Sequence, residues 1–175
     1  MFLRLFVVVT LLFSTAAMAQ DNLSVAVIPA DLSENVNAVI RLEQTDIIIA
    51  SRKSMTVKKT RIVTFYNESG IGYMDAEEYF DKSTTVKSIE AVIYSAAGQE
   101  IKKIKRKDFK DVAVSSGAGI TDNRILYLDY TPVQYPFTIV FKSESETTNT
   151  AFLPSWSPVE GSSASTQKSV MSVNC

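Results

Sequence analysis

Histidine is absent from all 175 residues of the sequence. This absence excludes Ser-His and Cys-His nucleophile pairs and removes the commonest protein ligand of zinc and copper. Cysteine occurs once, as Cys175, so the chain can form no internal disulfide and its thiol has no histidine to act as a base. We therefore predict no catalytic residue, no metal site and no cofactor-binding residue in this chain.

A large excess of charge of one sign is also lacking. The sequence has 18 Lys and Arg against 19 Asp and Glu, a formal net charge of −1. Proteins that bind nucleic acids neutralise phosphates with a basic surface, so we predict no nucleic-acid partner. Beyond the N-terminus, no apolar run reaches the ~20 residues that a membrane-spanning helix needs, and we predict no membrane span there.

The first 19 residues have the three parts of a secretory signal peptide. Arg4 is followed by an apolar run over residues 5–13 and by the small-residue site Ala17-Met18-Ala19. We predict that residues 1–19 are a signal peptide cleaved after Ala19. The mature protein is then expected to be exported, soluble, and periplasmic or secreted.

Residues 124–146 are the clearest fold signal. Residues 125–128 form a continuous apolar run, which predicts a strand covered on both faces. After Pro136 the sequence alternates, with Phe137, Ile139 and Phe141 on one face and a half-exposed face opposite. We interpret the two strands as a hairpin in the middle of an antiparallel, two-layer β-sandwich.

The rest of the chain predicts the same all-β class, with about eight strands in total. Residues 20–35 are expected to be a flexible segment or an edge strand, and residues 36–175 the sandwich domain. Further strands are predicted at residues 38–50 with a break at 43–45, and at 55–67, 75–80, 86–94, 100–104 and 167–173. In the second of these, Lys59 and Arg61 interrupt the apolar face, which suggests a strand that leaves one sheet for another.

Two charged clusters each have a functional and a structural interpretation. Asp75, Glu77, Glu78 and Asp81 offer oxygen ligands for calcium, but their spacing matches no calcium loop, so a solvated strand edge is favoured. Residues 102–107 carry five positive charges between Lys102 and Lys107, which suits phosphates, lipid headgroups or acidic glycans. A charged edge strand that resists aggregation is the favoured interpretation.

Two loops also have a functional and a structural interpretation. The Ser- and Gly-rich residues 115–119 lack the lysine of a phosphate-binding loop, which favours a plain loop. Trp156, with Phe152 and Tyr135 as neighbours, is suited to stacking on a sugar. A buried plug beneath a loop is the favoured interpretation, because burial of its large apolar surface would stabilise a segment rich in proline and serine.

The segments LYLDYTPVQYPFTIVFKSESET and NTAFLPSWSPVEG, followed by Lys168-Ser169-Val170, resemble the N-terminal domain of unknown function in exported bacterial transglutaminase-like proteins. The resemblance runs from about Ala38 to the last residue and is most specific at Tyr135-Pro136 and Trp156-Ser157-Pro158-Val159. It implies a β-sandwich that precedes a papain-like core carrying Cys, His and Asp. No position here matches the motif of that core, so the resemblance implies a non-catalytic module, expected to be the N-terminal part of a longer protein.

Two functions from different classes remain open. The first is an accessory domain that packs on, or presents substrate to, a transglutaminase-like catalytic domain in the same or another chain. The second is a free-standing module that binds a glycan or peptide through the Trp156 loop or the basic run.

Overall fold

The fold is that of a computed structural model, in which residues 22–114 and 122–175 are described. The predicted signal peptide and the loop at residues 115–119 lie outside the described residues. The described part confirms the predicted all-β sandwich and contains ten strands in two sheets. The strands are β1 Ala38–Ser51, β2 Ser54–Phe65, β3 Glu77–Phe80, β4 Thr84–Ser95, β5 Glu100–Lys105, β6 Lys110–Ala113, β7 Arg124–Tyr127, β8 Phe137–Thr147, β9 Ala164–Thr166 and β10 Ser169–Asn174.

The larger sheet has seven strands in the order β10-β1-β2-β8-β4-β5. The short strand β9 also pairs with β1, and both β9 and β10 run parallel to it. The other pairings are antiparallel. β1 is one continuous strand, and its pairing with β2 shifts register between Ile40 and Leu42. A bulge at this point re-aims the side chains that follow it. An irregularity in this strand was predicted, but its predicted place at residues 43–45 is wrong.

The smaller sheet has three antiparallel strands in the order β3-β7-β6. β7 and β8 therefore lie in different sheets, and the interpretation of residues 124–146 as a hairpin is wrong. The chain passes between the sheets through a corner that contains the cis bond Tyr135-Pro136. Leu126 is buried while Ile125 and Tyr127 are half-buried, so β7 is fully covered on one face only. Among residues 22–114 and 122–175, the structure contains two sheets and no further sheet that would cover the other face of β7.

The main core lies between the two sheets. Phe137, Ile139 and Phe141 of β8 are buried on one face, as their alternation predicts. They pack in one hydrophobic cluster with Leu126 of β7 and with Leu128, which follows that strand. We call the face of the large sheet that carries these phenylalanines its inner face.

The outer face of the large sheet is covered at one end, where the sequence predicted exposure. Thr64 and Thr138 are fully buried there, and their hydroxyl groups hydrogen-bond at 2.8 Å. The N-terminal segment is tied to this side: Arg41 of β1 donates to the Asn22 carbonyl at 2.7 Å, and the Val25 amide donates to the Ala96 carbonyl at 2.9 Å. Further along β8, Lys142 is exposed as predicted.

The N-terminal segment has no strand among its described residues 22–35, so the edge-strand alternative is wrong. It contains a 3-10 turn at Val25–Val27 and a one-turn helix at Ala30–Ser33. The Ser24 hydroxyl accepts from the Ala26 amide and caps the first turn. Gly98, in the β4–β5 turn that the sequence predicted, has φ +79° and lies close to the backbone of Ser24.

β2 stays in one sheet along its whole length, pairing with β1 on one side and β8 on the other. The predicted transfer between sheets at Lys59 and Arg61 is therefore wrong. Instead, these residues mark the boundary between two buried clusters on the inner face. The main cluster lies on one side, and a small one formed by Ile47, Met55 and Val57 lies on the other. A band of polar side chains separates them.

Candidate functional site

The polar band crosses the inner face of the large sheet. Strand alternation places Lys59 and Arg61 on the same face of β2 as the buried Val57 and Val63. Ser143 of β8 pairs with Lys59, and Glu43 of β1 pairs with Arg61 in register. The registers of three neighbouring strands therefore bring these polar side chains together.

Arg61 is the centre of this band, and only 2% of its surface is exposed. Its two terminal nitrogens donate to both carboxylate oxygens of Glu160, each at 2.6 Å, and to Glu43. One of them also donates to the Tyr73 carbonyl at 2.9 Å. Its Nε is buried and has no hydrogen-bond partner among the described residues. The guanidinium thus ties β1, the turn before β3 and the segment containing Glu160 to the sheet.

The ionisation of Arg61 and Glu43 reflects this burial. Burial acts to lower the pKa of Arg61, but the hydrogen bonds and charges of Glu160 and Glu43 outweigh it, so its pKa is raised. Burial raises the pKa of Glu43, and the attraction of Arg61 offsets only part of that effect. The nearby charges of Glu160 and Asp75 raise it further. Arg61 therefore stays cationic, while Glu43 holds its proton to higher pH than an ordinary glutamate.

A second charged pair bridges the two sheets beside Arg61. Glu78 of β3 is only 5% exposed, accepts from the Ser143 hydroxyl at 2.7 Å and pairs with Lys59 at 3.0 Å. The predicted solvated edge is therefore wrong for Glu78, because β3 turns this side chain toward the large sheet. Asp81 accepts from the Ser83 and Thr84 amides and shapes the β3–β4 turn. No group of three metal-ligating acids forms among the described residues, so the calcium interpretation gains no support.

Two adjoining cavities lie along this band and together form what we call the groove. The first has a volume of about 430 Å³ and the second about 310 Å³. They share Lys59, Tyr79 and Pro154. The wall of the first includes Glu43, Thr45, Arg61, Asp75, Phe141 and Ser155. The wall of the second mixes apolar side chains, among them Met55, Val57, Phe152 and Leu153, with polar ones such as Glu78, Asp81 and Asn149.

Residues 150–160, which we call the strap, cross beside the groove after β8. Glu160 fixes one end of the strap to Arg61, and the Thr150 hydroxyl fixes the other by donating to the Arg52 carbonyl at 2.8 Å. Four large apolar side chains of the strap are exposed: Phe152, Leu153, Trp156 and Val159. The strap is thus held to the fold by polar contacts. Phe152 and Leu153 also line the second cavity, whereas Trp156 and Val159 belong to the wall of neither of the two cavities.

Trp156 is 49% exposed, so the predicted buried plug is wrong. Its indole nitrogen donates to the Ser169 hydroxyl of β10 at 2.8 Å, which fixes the ring against the edge of the sheet. Phe152 is also exposed, whereas Tyr135 packs on Phe137 in the main core. The three aromatic residues named from the sequence therefore do not form one stacking platform.

The basic run lies on β5 and the 3-10 turn that follows it, at one edge of the large sheet. Lys103 pairs with Glu90 at 3.0 Å, and Arg106 donates to the Val86 carbonyl at 2.6 Å. Ile104 alone of the run is buried. These contacts confirm the interpretation of residues 102–107 as a charged edge strand.

The contact between Glu160 and Arg61 could not be predicted from a local pattern, because the two residues are 99 positions apart. Arg61 itself carried a usable signal. A charged residue on the apolar face of an alternating strand either ends the core or is paired inside it. The structure shows the second case.

No helix within residues 22–114 and 122–175 has the length and apolar character needed to cross a membrane.

Comparison with known proteins gives a family match. The family model described as a domain of unknown function with a solved structure (DUF3857) matches residues 51–175. This range contains Arg61, Glu78 and the whole strap, but it leaves out most of β1. No curated protein matches the chain.

Two solved structures have a limited similarity to part of this chain. One is a crystal structure at 2.00 Å resolution of a "putative protease" from Parabacteroides distasonis ATCC 8503, with TM-score 0.49 and 11% identity over 65% of this chain and 23% of that one. The other is yeast LTA4 hydrolase in complex with bestatin, with TM-score 0.29 and 9% identity over 62% and 14% of the two chains. The present chain thus spans less than a quarter of either protein, and likeness at this level carries no statement about activity.

Proposed function

Since the chain belongs to the DUF3857 family, a family of domains of unknown function, we propose that it is a non-catalytic accessory module that docks on a transglutaminase-like catalytic domain. The observation that carries this proposal is the strap, with its four exposed apolar side chains held on a rigid support. The sequence resemblance to the N-terminal domain of exported transglutaminase-like proteins supplies the class of partner.

The strap suits docking because its shape is set before any partner binds. The paired Arg61–Glu160 contact and the Trp156–Ser169 hydrogen bond fix two points of the segment. A preformed surface loses less conformational entropy on association than a flexible one. Trp is among the residue types that most often carry binding energy at interfaces, and aromatic residues including Phe are enriched in interface cores.

The absence of a reactive pair supports the non-catalytic part. The sequence has no histidine, and its one thiol, Cys175, is exposed. We expect the purified chain to show no amide hydrolysis and no amine incorporation. Turnover by the isolated chain that is lost in Cys175→Ser would contradict this part of the proposal.

The docking part is tested by mixing the purified chain with the separately expressed catalytic domain of an exported transglutaminase-like protein that carries a domain of this family. Calorimetry should give a measurable Kd, and Trp156→Ala with Phe152→Ala should weaken it by about 30-fold or more, equal to ~2 kcal/mol. Val133→Ala is the matched control, because Val133 is 96% exposed but lies outside the strap. No binding, or equal weakening by the control, would contradict the proposal.

A second candidate is a free-standing module that binds glycans, favoured by the half-exposed, hydrogen-bonded indole of Trp156. A fixed, exposed aromatic ring can stack on the apolar face of a sugar. In that case soluble oligosaccharides should quench the fluorescence of this single tryptophan, and Phe152→Ala should leave the quenching unchanged.

A further inference from the structure

We propose that the free edge of β10 pairs antiparallel with β10 of a second copy of this chain, with Met171 of one copy opposite Met171 of the other. β10 is the outermost strand on its side of the large sheet and pairs with β1 alone. The pairing would join the large sheets of the two copies across a twofold axis. This inference goes beyond the proposed docking on a catalytic domain and does not depend on it, because its test uses this chain alone.

The pairing with β1 determines which backbone groups of β10 point away from the sheet. The Glu43 amide donates to the Lys168 carbonyl at 2.9 Å, and Glu43 is the register partner of Ser169. Along a strand, residues that bond to one neighbour alternate with residues that face the other side. The backbone groups of Ser169, Met171 and Val173 therefore point outward, and among residues 22–114 and 122–175 they have no hydrogen-bond partner.

The sequence of β10 leaves this edge without the usual protection. Charged residues or proline on an edge strand discourage pairing with another chain. The edge strands β3, β5 and β6 each carry charged residues, whereas residues 169–174 contain neither a charge nor a proline. Two copies of β10 can therefore lie side by side without opposing like charges. Two copies of β5 would instead bring the three lysines of each strand together.

An antiparallel arrangement about a twofold axis uses all of the outward groups. With Met171 at the axis, Ser169 of each copy lies opposite Val173 of the other. Each of the three opposed positions is then a hydrogen-bonded pair that exchanges two bonds, so the interface gains about six backbone hydrogen bonds. The twofold axis also closes the assembly at two copies, because both β10 edges are used.

The side chains on the inner face support the same register. Met171 packs against the small cluster of that face but is only half-buried. Across the axis the two Met171 side chains would meet and join the two small clusters. Val173, which is 47% exposed, would lie opposite Ser169 of the second copy, where Trp156 donates to the serine hydroxyl. The pairing therefore covers apolar surface that a single copy leaves in water.

The oligomeric state of the purified chain tests the proposal. Sedimentation velocity over a range of concentrations should show a monomer–dimer equilibrium. Val173→Glu should raise the dissociation constant of the dimer by about tenfold or more, because it places a carboxylate against apolar side chains of the second copy. The matched control is Val112→Glu on β6, an edge strand of the small sheet where Val112 is 42% exposed. This variant should leave the dissociation constant unchanged.

Cysteine cross-linking tests the register, in a background where Cys175→Ser removes the natural thiol. Met171→Cys should form an intermolecular disulfide in a glutathione redox buffer, because the Cα atoms of a hydrogen-bonded antiparallel pair lie about 5.5 Å apart. Val173→Cys in the same background should not cross-link. The two substituted positions would lie about 14 Å apart along the paired strands, beyond the ~7 Å that a disulfide can span.

Three results would overturn the proposal. The first is a chain that stays monomeric at every concentration up to its solubility limit, which would leave the β10 edge to a strand of another protein. The second is a dimer that Val173→Glu does not weaken, or that Val112→Glu weakens equally, because its interface would then lie elsewhere. The third is cross-linking at position 173 that is as fast as at position 171, which would contradict the register.

Discussion

Arg61 occupies a position where the alternation of β2 calls for an apolar side chain. Placing a cation there requires compensation of its charge within the fold, and Glu43 and Glu160 provide it. The residue therefore has a structural role, because its side chain links the large sheet to the strap through Glu160 and to the Tyr73 carbonyl before β3. A smaller apolar side chain would fill this position without making those connections.

We expect Arg61→Met to lower the free energy of unfolding by about 3–5 kcal/mol, because it leaves two carboxylates partly buried without their cation. Urea melts of the two proteins measure the difference. The triple variant that adds Glu43→Gln and Glu160→Gln should recover a large part of the loss, since it removes the unpaired charges. If Arg61→Met alone has the free energy of unfolding of the wild type, the ion pairs of Arg61 do not stabilise the fold.

Glu43 gives a pH-dependent prediction. Its folded-state pKa lies above the ordinary value of 4.5, so the folded protein binds this proton more tightly than the unfolded chain. The stability that this proton contributes is present below the ordinary pKa and is lost as the pH rises through the folded pKa. In Glu43→Gln the side chain carries no charge at any pH, so this contribution cannot change.

The stability of the wild type minus that of Glu43→Gln should therefore fall as the pH rises from about 4 to about 8. Urea melts at several pH values give this difference. Carboxyl groups that do not interact with Glu43 cancel in this difference, because both proteins contain them in the same surroundings. A difference that stays constant, or grows with pH, would mean that Arg61 outweighs burial and holds the pKa of Glu43 at or below its ordinary value.

At the scale of the elements, β8 is the central strand of the large sheet and carries a clear division between its faces. Phe141 is buried and its ring contacts that of Phe109, while Lys142, the next residue, is exposed. We expect Phe141→Ala to cost about 3–5 kcal/mol, because it removes a buried ring and leaves a cavity. Lys142→Ala should change stability by less than about 0.5 kcal/mol. Equal destabilisation in urea melts would mean that both faces of β8 are covered at this point.

The 3-10 turn Glu68–Tyr73 offers a matched pair of glycines. A side chain at Gly70 would meet the backbone of Asn37, with the carbonyl carbon at 2.9 Å, whereas one at Gly72 would meet nothing within 4 Å. We expect Gly70→Ala to destabilise the protein by about 1–3 kcal/mol, because backbone must move to admit the methyl group. Gly72→Ala should be within about 0.5 kcal/mol of the wild type. Thermal melts compare the two variants. If Gly72→Ala destabilises the protein as much as Gly70→Ala does, the effect comes from the backbone freedom of glycine in this turn and not from the close contact with Asn37.

Local patterns predicted the elements better than their partners. The alternation at Phe137, Ile139 and Phe141 identified both the strand and its buried face, since side-chain direction in a strand depends only on neighbouring residues. The pairing of β8 with β2 and β4 could not be read in the same way. It depends on contacts between distant segments, and proximity along the chain wrongly suggested β7 as its neighbour.

At the scale of the whole molecule, the groove was beyond sequence reasoning for the same reason. Glu78, Lys59 and Ser143 come from three strands, β3, β2 and β8, and Glu78 meets the other two only when the two sheets pack. Lys59 stood out as an interruption of an apolar face and Glu78 as part of an acidic cluster, but nothing in either segment indicated that the two side chains would pair. The strap was easier to find, because its prolines and its tryptophan mark it as irregular, although its exposure was not predicted.

The last prediction concerns the fate of the chain as a whole. The apolar run at residues 5–13 is shorter than the ~20 residues of a membrane span, and Ala17-Met18-Ala19 follows it as the predicted cleavage site. We expect expression in a Gram-negative host to place the protein in the periplasmic fraction with Gln20 as its first residue. Intact-mass spectrometry of that fraction measures the processing. Ala17→Arg together with Ala19→Arg is the control, because large charged side chains block such a site, and it should leave a longer precursor. Wild-type protein that retains Met1 and sediments with membranes would show that the segment anchors the chain.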